Sequence, residues 1–532
     1  MQKISLLFSV IFLLVFSGYG KNPESRHINI NLDKEYQVMH SFGASDSWRC
    51  QFVGANWPQN KKNQMAEWLF SKETDDQGNP LGIGLSMWRF YIGAGSMEQG
   101  DSSEIYNPWR RAECFLNEDG TYNWSKQKGE QWFLKQAHKH GVENTMAFSI
   151  SAPVHYTLNG KAFSPKKRTH LNIKEDKLDD YAAFLAEVCE YFESKGLGFD
   201  YLSPFNEPQW DWSNPSQEGT PATNEDLFLF THFLDHEFTK RGLNTQMALG
   251  EAAEYQFLYR KGDQYAGSSG QFREFLSENS PMYIGQFRNV ATLFSGHSYF
   301  TTWPVEKLID IRQKLRSSLD SINPAMDFWQ SEFCILEEND DIESGHGRDL
   351  GMGTALYVAR VIHHDLTIAN ATSWQWWTAL TQCNYKDGLI YLDNGNEGIP
   401  SQQHPDNEAL KYDGNFHDSK LMWALGNYSR FVRPGMVRVE VSYGQSASLE
   451  DQAVSLMVSG YKNTATNELV VVAVNYGGES EKLFLEEDGR FLKKVKAYET
   501  SEKSDLQYEL TELTDLVVAP KSVKTFVLKL KQ

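Results

Sequence analysis

From about residue 39 to residue 431, short apolar runs alternate with stretches whose apolar residues recur every three or four positions. The first kind of run suits buried strands, the second amphipathic helices. Strands are predicted over 39–44, 85–91, 144–149, 199–205, 246–250, 294–299, 326–331 and 372–377. Each is followed by a helical pattern, or by a long loop and then one. Leu178, Tyr181, Ala182, Leu185, Val188, Cys189 and Phe192 share one helical face behind Asp176, Asp179 and Asp180. Negative charge at that end complements the helix dipole. Residues 305–319 repeat the pattern with Leu308, Ile311, Arg312 and Leu315. Eight strand–helix units in succession predict an α/β fold, a (β/α)8 TIM barrel with inserted loops. A doubly wound sheet would more often carry a Gly-rich phosphate turn after its first strand. Gly82, Gly84, Gly93 and Gly95 do not make that turn, and there is no P-loop.

The texture changes after Arg433-Pro434-Gly435. Runs over 437–442, 454–459, 468–475, 481–485, 493–498 and 524–530 read as short strands between turn residues, with no helical pattern left. They predict a C-terminal side β-sandwich over 432–532. Residues 28–36 also read as a strand, and the segment 21–38 is expected to complete that sandwich. The barrel is then 39–431.

Residues 1–20 read as a secretory signal peptide: Lys3, an apolar run over 6–16, then Gly18 and Gly20. The run is shorter than the roughly 18 residues that a membrane span needs. The expected location is therefore secreted or periplasmic, with no membrane span. A formal charge of −19 repels phosphate backbones and argues against nucleic acid as a partner. The 15 tryptophans suit flat apolar faces, sugar faces included, although composition alone favours a large core. The five cysteines show no CxxC spacing, so neither a zinc knuckle nor a disulfide is assigned. His232 and His236 lie one helical turn apart, but Phe233 stands where a zinc-protease motif needs Glu. His138 with His140, and His363 with His364, fall near helix ends, where cations suit the dipole. No metal and no cofactor are expected, and a monomer is the expected state.

Reacting groups in such a barrel sit at the C-terminal tips of the strands. The fourth strand runs out through Ser203-Pro204-Phe205-Asn206-Glu207-Pro208, the seventh through Trp329-Gln330-Ser331-Glu332-Phe333. Glu207 and Glu332 are each set among apolar and aromatic neighbours, where an unpaired carboxylate is costly. Two facing carboxyls, one neutral and one ionised, are what glycoside hydrolysis requires. Glu251, at the tip of the fifth strand, is a third carboxylate, expected to support the other two rather than touch a sugar.

These two tips resemble the acid/base and nucleophile motifs of clan A glycoside hydrolases, and more narrowly those of family 30. The resemblance extends in order through Phe42-Gly43-Ala44-Ser45, Trp88-Arg89, Ser151-Ala152-Pro153 with Asn159-Gly160, His297-Ser298-Tyr299, Trp374-Gln375-Trp376-Trp377 and the run from Tyr428 to Gly435. It implies Glu207 as acid/base and Glu332 as nucleophile. Asn206 would bond the sugar 2-hydroxyl, and Arg89 would keep the nucleophile ionised. His297 and Tyr299 would lie beside the nucleophile, and Trp377 would form a sugar platform. Ala152-Pro153-Val154-His155-Tyr156 departs from the Pro-Pro or Ser-Pro pair and aromatic that members commonly carry there. Residues 203–212, with Gln217-Glu218-Gly219, most resemble the endo-β-1,6-galactanase branch. The implied partner is a polysaccharide or oligosaccharide substrate, cleaved by double displacement. β-1,6-Glucanase, xylanase and other family 30 β-glycosidases, glucosylceramidase-like ones included, are the alternatives within the family. A carbohydrate-binding protein that has lost catalysis would be expected to lack one of the two glutamates.

Overall fold

The computed structural model describes residues 24–262, 267–395, 408–444, 447–486 and 488–531. The expected signal peptide lies outside the described residues.

Strand β1 (Glu24–Val38) precedes the barrel. The barrel strands are β2 (Ser41–Ser45), β3 (Met87–Ile92), β4 (Asn144–Ser149), β5 (Tyr201–Ser203), β6 (Gln246–Ala252), β7 (Val290–His297), β8 (Asp327–Glu332) and β9 (Ala371–Trp376). They close in sequence order into one barrel, every neighbouring pair parallel. Each strand is buried almost throughout, which is why the sequence shows apolar runs rather than clean alternation. Met87, Met146, Ala248, Leu293 and Trp329, contributed by five strands, pack as one cluster inside the barrel. Burying each large side chain of this kind stabilises by about 1.5–3 kcal/mol. Gly43 has a steric reason to be glycine: a Cβ there would lie 2.8 Å from Cβ of Met87 on the adjacent strand.

The helix Leu178–Ser194 buries Tyr181, Ala182, Leu185, Val188, Cys189 and Phe192, six of the seven residues of the predicted stripe. The helix Val305–Ile322 buries Leu308, Ile311, Arg312 and Leu315. Arg312 is tolerated there because its Nε donates to Asp365 Oδ1 at 2.7 Å.

The side domain is one nine-stranded sheet, ordered β18-β17-β20-β15-β14-β13-β1-β16-β19. Its C-terminal strands are β13 (Val437–Tyr443), β14 (Leu456–Asn463), β15 (Glu468–Asn475), β16 (Glu481–Leu485), β17 (Lys494–Ser501), β18 (Ser504–Glu512), β19 (Leu516–Val518) and β20 (Ser522–Lys529). Leu483 of β16, Val518 of β19 and Val495 of β17 share one hydrophobic cluster. The sheet therefore curls over and encloses a core. Strand β1 pairs antiparallel with β13 and parallel with β16, completing the sheet from the N-terminal side as expected.

Several details differ from the sequence reading. A small sheet of β10 (Thr378–Thr381), β11 (Gly388–Asp393) and β12 (Asn415–His417) follows the eighth barrel strand. β18 carries a mixed exposed pattern and β19 is only three residues long, so neither gives a strong period-two signal. A one-turn helix, Leu449–Ala453, interrupts the side domain, capped by Ser448 Oγ accepting from Asp451 N–H. His363 and His364 do not act as helix-end cations. Burial pushes His363 down to about 3 and His364 well below its ordinary range, so both are neutral. His232 and His236 are exposed on the helix Asn224–Arg241. All five cysteines are free thiols. Among the described residues no helix is long and apolar enough to cross a membrane.

Candidate active site

A cavity of about 320 Å³ opens at the C-terminal end of the barrel, and Glu207 and Glu332 both line it. Glu332 is the last residue of β8, and Glu207 lies four residues beyond β5. The backbone of Glu207 is left-handed, φ +47°, as is that of Glu251 at +47°. A side chain with Cβ holds such a conformation only where its surroundings over-determine it. Here Glu207 N–H donates to Glu251 C=O at 2.9 Å. The Glu207 C=O accepts from Trp210 N–H and from Trp212 Nε1, both at 3.0 Å.

Below the cavity the acids are wired together by two cations. Arg89, on β3, donates through Nη1 to Glu332 Oε2 at 2.8 Å and through Nη2 to Glu251 Oε2 at 3.0 Å. His297, at the end of β7, reaches Glu207 Oε1 through Nδ1 and Glu251 Oε2 through Nε2, each at 3.0 Å. Its Nδ1 is also 3.8 Å from Glu332 Oε1. Tyr299 donates its hydroxyl to Glu332 Oε1 at 3.1 Å. Ser295 Oγ donates to Glu251 Oε1 at 2.8 Å.

The electrostatics follow from this wiring. Burial alone would discharge His297, but Glu332 and its hydrogen bonds to Glu207 and Glu251 hold it charged, up to about 10. Burial also opposes ionisation of Glu251, yet Arg89 and His297 outweigh it and bring its carboxyl down to about 2. Glu207 is raised. Burial is the main cause, with Glu332 and Glu251 adding to it and His297 pulling the other way. Its repulsion from Glu332, expected from two facing carboxylates, is real but secondary to burial. Glu207 is thus poised to carry a proton, while Glu332 faces Arg89 and the Tyr299 hydroxyl.

Nearest oxygens of Glu207 and Glu332 and a ring nitrogen of His297 all lie within 4.8 Å of one another. Such a trio has metal-binding geometry. His297 already pairs through Nδ1 with Glu207 and through Nε2 with Glu251, however, so an ion there would have to break one of those bonds. The arrangement suits proton transfer and charge stabilisation instead.

Asn206 and Trp377 also line the cavity, as does Tyr299. The buried Asn206 Oδ1 has no hydrogen-bond partner, an orphan acceptor that a hydroxyl would satisfy. Trp377 lies one residue past β9, edge-on to Trp48 with ring centroids 5.3 Å apart. Arg89 and His297 are fully buried and meet the carboxylates rather than the cavity. Glu251, the third carboxylate, is equally buried and joins the two cations.

The sequence reading missed several cavity residues: Arg110, Trp210, Phe300 and Leu336. Trp210 lies inside the galactanase-like run 203–212, whereas Arg110 ends a single 3-10 turn, Pro108–Arg110, too short to give a periodic signal. The reading also assigned no role to Glu218, whose buried carboxyl ties two loops together. It accepts from Tyr91 Oη, Ser96 Oγ and the Ala94 N–H, the last at 2.9 Å. Burial raises this carboxyl to about 7 against those donors.

Two carboxyls in unequal surroundings, meeting across one cavity at the strand tips of a (β/α)8 barrel, define a glycosidase. The model of O-glycosyl hydrolase family 30 matches residues 25–391, and the chain belongs to that family. The crystal structure of a conserved exported protein from Bacteroides fragilis is 36% identical with a TM-score of 0.88, covering 94% of this chain and 99% of that one. The catalytic domain of family 30 xylanase C from Talaromyces cellulolyticus shares the fold at 21% identity and a TM-score of 0.65, covering 94% and 100%. An exo-β-1,6-galactobiohydrolase of Bifidobacterium longum subsp. longum is 25% identical over 138 residues, 25% of this chain and 9% of that protein. The chain thus matches less than a tenth of that relative's length.

Proposed function

We propose that the protein is an exported, retaining β-glycosidase that cleaves β-1,6-galactan internally by double displacement. The observation that carries the mechanism is the approach of the Glu207 and Glu332 oxygens to within 4.8 Å. Retaining enzymes hold their carboxyls about 5–5.5 Å apart, inverting ones about 6.5–9.5 Å, because only the latter seat a water between the general base and the sugar. Glu332 attacks the anomeric carbon while Glu207 gives its proton to the leaving oxygen. Water, deprotonated by Glu207, then releases the sugar from Glu332. Asn206, with its free acceptor, bonds a hydroxyl of the sugar undergoing attack, and Trp377 supports that sugar's apolar face.

The substrate reading is supported by the galactobiohydrolase similarity and by the likeness of residues 203–212 to β-1,6-galactanases. Internal cleavage is supported by a cavity lined by the exposed Trp210 and Leu336 in addition to Trp377 and the two carboxylates. Export is supported by the pattern of residues 1–20 and by the exported character of the Bacteroides fragilis relative.

The test is hydrolysis of a panel of β-1,6-galactan, β-1,6-glucan and xylan, with product sizes and the first-formed anomer read by NMR. The expected result is β-configured oligosaccharides from galactan alone. Glu332→Gln should lose at least roughly 10⁴-fold in kcat, and Glu332→Ala with azide should yield the α-glycosyl azide. A first product of inverted configuration from the native enzyme overturns the double displacement. Preference for glucan or xylan overturns the substrate.

A further inference from the structure

Trp210 is 40% exposed at the wall of the cavity that holds both carboxylates, an unusual position for an indole. It lies three residues past Glu207 and is tied to it by its own N–H, which donates to the Glu207 carbonyl at 3.0 Å. Its ring lies parallel to that of Phe300, with centroids 6.2 Å apart and planes 7° from coplanar. Phe300 follows Tyr299, the residue that bonds Glu332, and its own backbone is left-handed at φ +56°. Leu336, also 40% exposed, lines the same cavity. An apolar wall left open beside a few convergent polar groups is the character of a ligand subsite. The neighbouring Trp212 is buried and spends its indole N–H on the Glu207 carbonyl, so it is not the free platform.

We propose that Trp210, backed by Phe300, is the stacking platform for the sugar on the leaving-group side of the cleaved bond. The proposal rests on the glycosidase reading. Glu207 delivers its proton to the leaving oxygen, so the leaving sugar must be seated beside Glu207, where Trp210 stands. Trp377 belongs to the other side: its N–H donates at 2.8 Å to the carbonyl of Phe333, the residue after Glu332. A pyranose presents one face of C–H bonds, whose slight positive charge complements the negative face of an indole. The ligand class is therefore a pyranose held face-on, and the platform also serves an incoming sugar acceptor when the glycosyl-enzyme is captured by transfer instead of by water.

The test compares two substrates with the same glycone. β-1,6-Galactotriose releases a sugar, whereas β-1,6-galactobiosyl fluoride releases a single atom that touches no platform. In Trp210→Ala the ratio of kcat/KM for triose over fluoride should fall roughly tenfold, the size of a lost stacking contact. Transfer to added galactose should fall by a similar factor, and Trp210→Phe should recover part of both. An unchanged ratio in Trp210→Ala, with both substrates losing equally, shows a packing role only and overturns the proposal. Native protein that turns over neither substrate overturns the galactan reading, and the same ratio is then read on the trisaccharide and glycosyl fluoride of the glucan or xylan that it does cleave.

Discussion

In the proposed acid role Glu207 must hold a proton at working pH, and its buried surroundings favour that. His297 opposes them, being charged and bonded to the same carboxyl at 3.0 Å. Two outcomes follow at this scale. In Glu207→Ala the basic limb of kcat/KM against pH should vanish. Cleavage of natural substrate should fall by about 10²–10⁴-fold, while substrates with activated leaving groups keep much of their first-step rate. Steady-state kinetics across a leaving-group series decides this, and equal losses throughout would remove Glu207 from the acid role. His297→Asn deletes the cation that lowers the Glu207 pKa, so the basic limb should move to higher pH. A downward shift would mean that His297 supports the protonated acid instead. Because the groups are coupled, both limbs report macroscopic values.

The loop between β5 and the helix Asn224–Arg241 is the element that aims Glu207. Its internal contacts are tight. Gly219 passes so close to Trp212 that an added Cβ would lie 2.2 Å from the indole. That indole donates to the Glu207 carbonyl, and Gly219 N–H bonds the Ala162 carbonyl at 2.8 Å. Gly219→Ala must therefore move Trp212 or the loop. Overpacking of this kind costs about 1–3 kcal/mol. The expected phenotype is a loss of kcat at least as large as tenfold, since a small displacement of an acid group is amplified in rate. Thermal unfolding should fall by only a few degrees. Native kcat in Gly219→Ala would show that Trp212 does not set the position of Glu207.

Across the whole molecule, the buried charge network links stability to pH at both ends. His297 ordinarily titrates near 6.5 and is raised to about 10 in the fold. Its stabilisation is complete below about 6.5 and is lost as pH rises through about 10. Glu251 ordinarily titrates near 4.5 and is lowered to about 2. Its stabilisation is present above 4.5 and is lost as pH falls through about 2. The contribution of these two groups to the unfolding midpoint should therefore be flat between about pH 4.5 and 6.5 and fall on either side, superimposed on the slopes that Glu218 and His363 add between those limits. Glu251→Gln should flatten the acid fall while lowering the plateau, because it leaves Arg89 and His297 without their shared partner. An acid limb unchanged in Glu251→Gln would place its origin elsewhere. The side sheet is also held to the barrel: Asn427 Nδ2 donates to the Tyr498 carbonyl and to Thr525 Oγ1, each at 3.0 Å.

The chain determines by itself what is local. Buried runs and helical stripes recur often enough to count eight units, and Glu207 and Glu332 stand at strand tips because each closes an apolar run. Hydrophobic periodicity records that a face is buried, but not what it is buried against. Arg89 and Glu332 are 243 positions apart, and Arg89 and Glu251 are 162 apart. Barrel closure alone brings them together, so the cation pair that separates the fates of the three glutamates is tertiary. The same holds for Trp210 on Phe300, for Glu218 beneath Tyr91, and for β1 between β13 and β16. In each case the partner's identity is a matter of geometry between distant segments, for which a linear pattern of apolar and polar residues carries no signal.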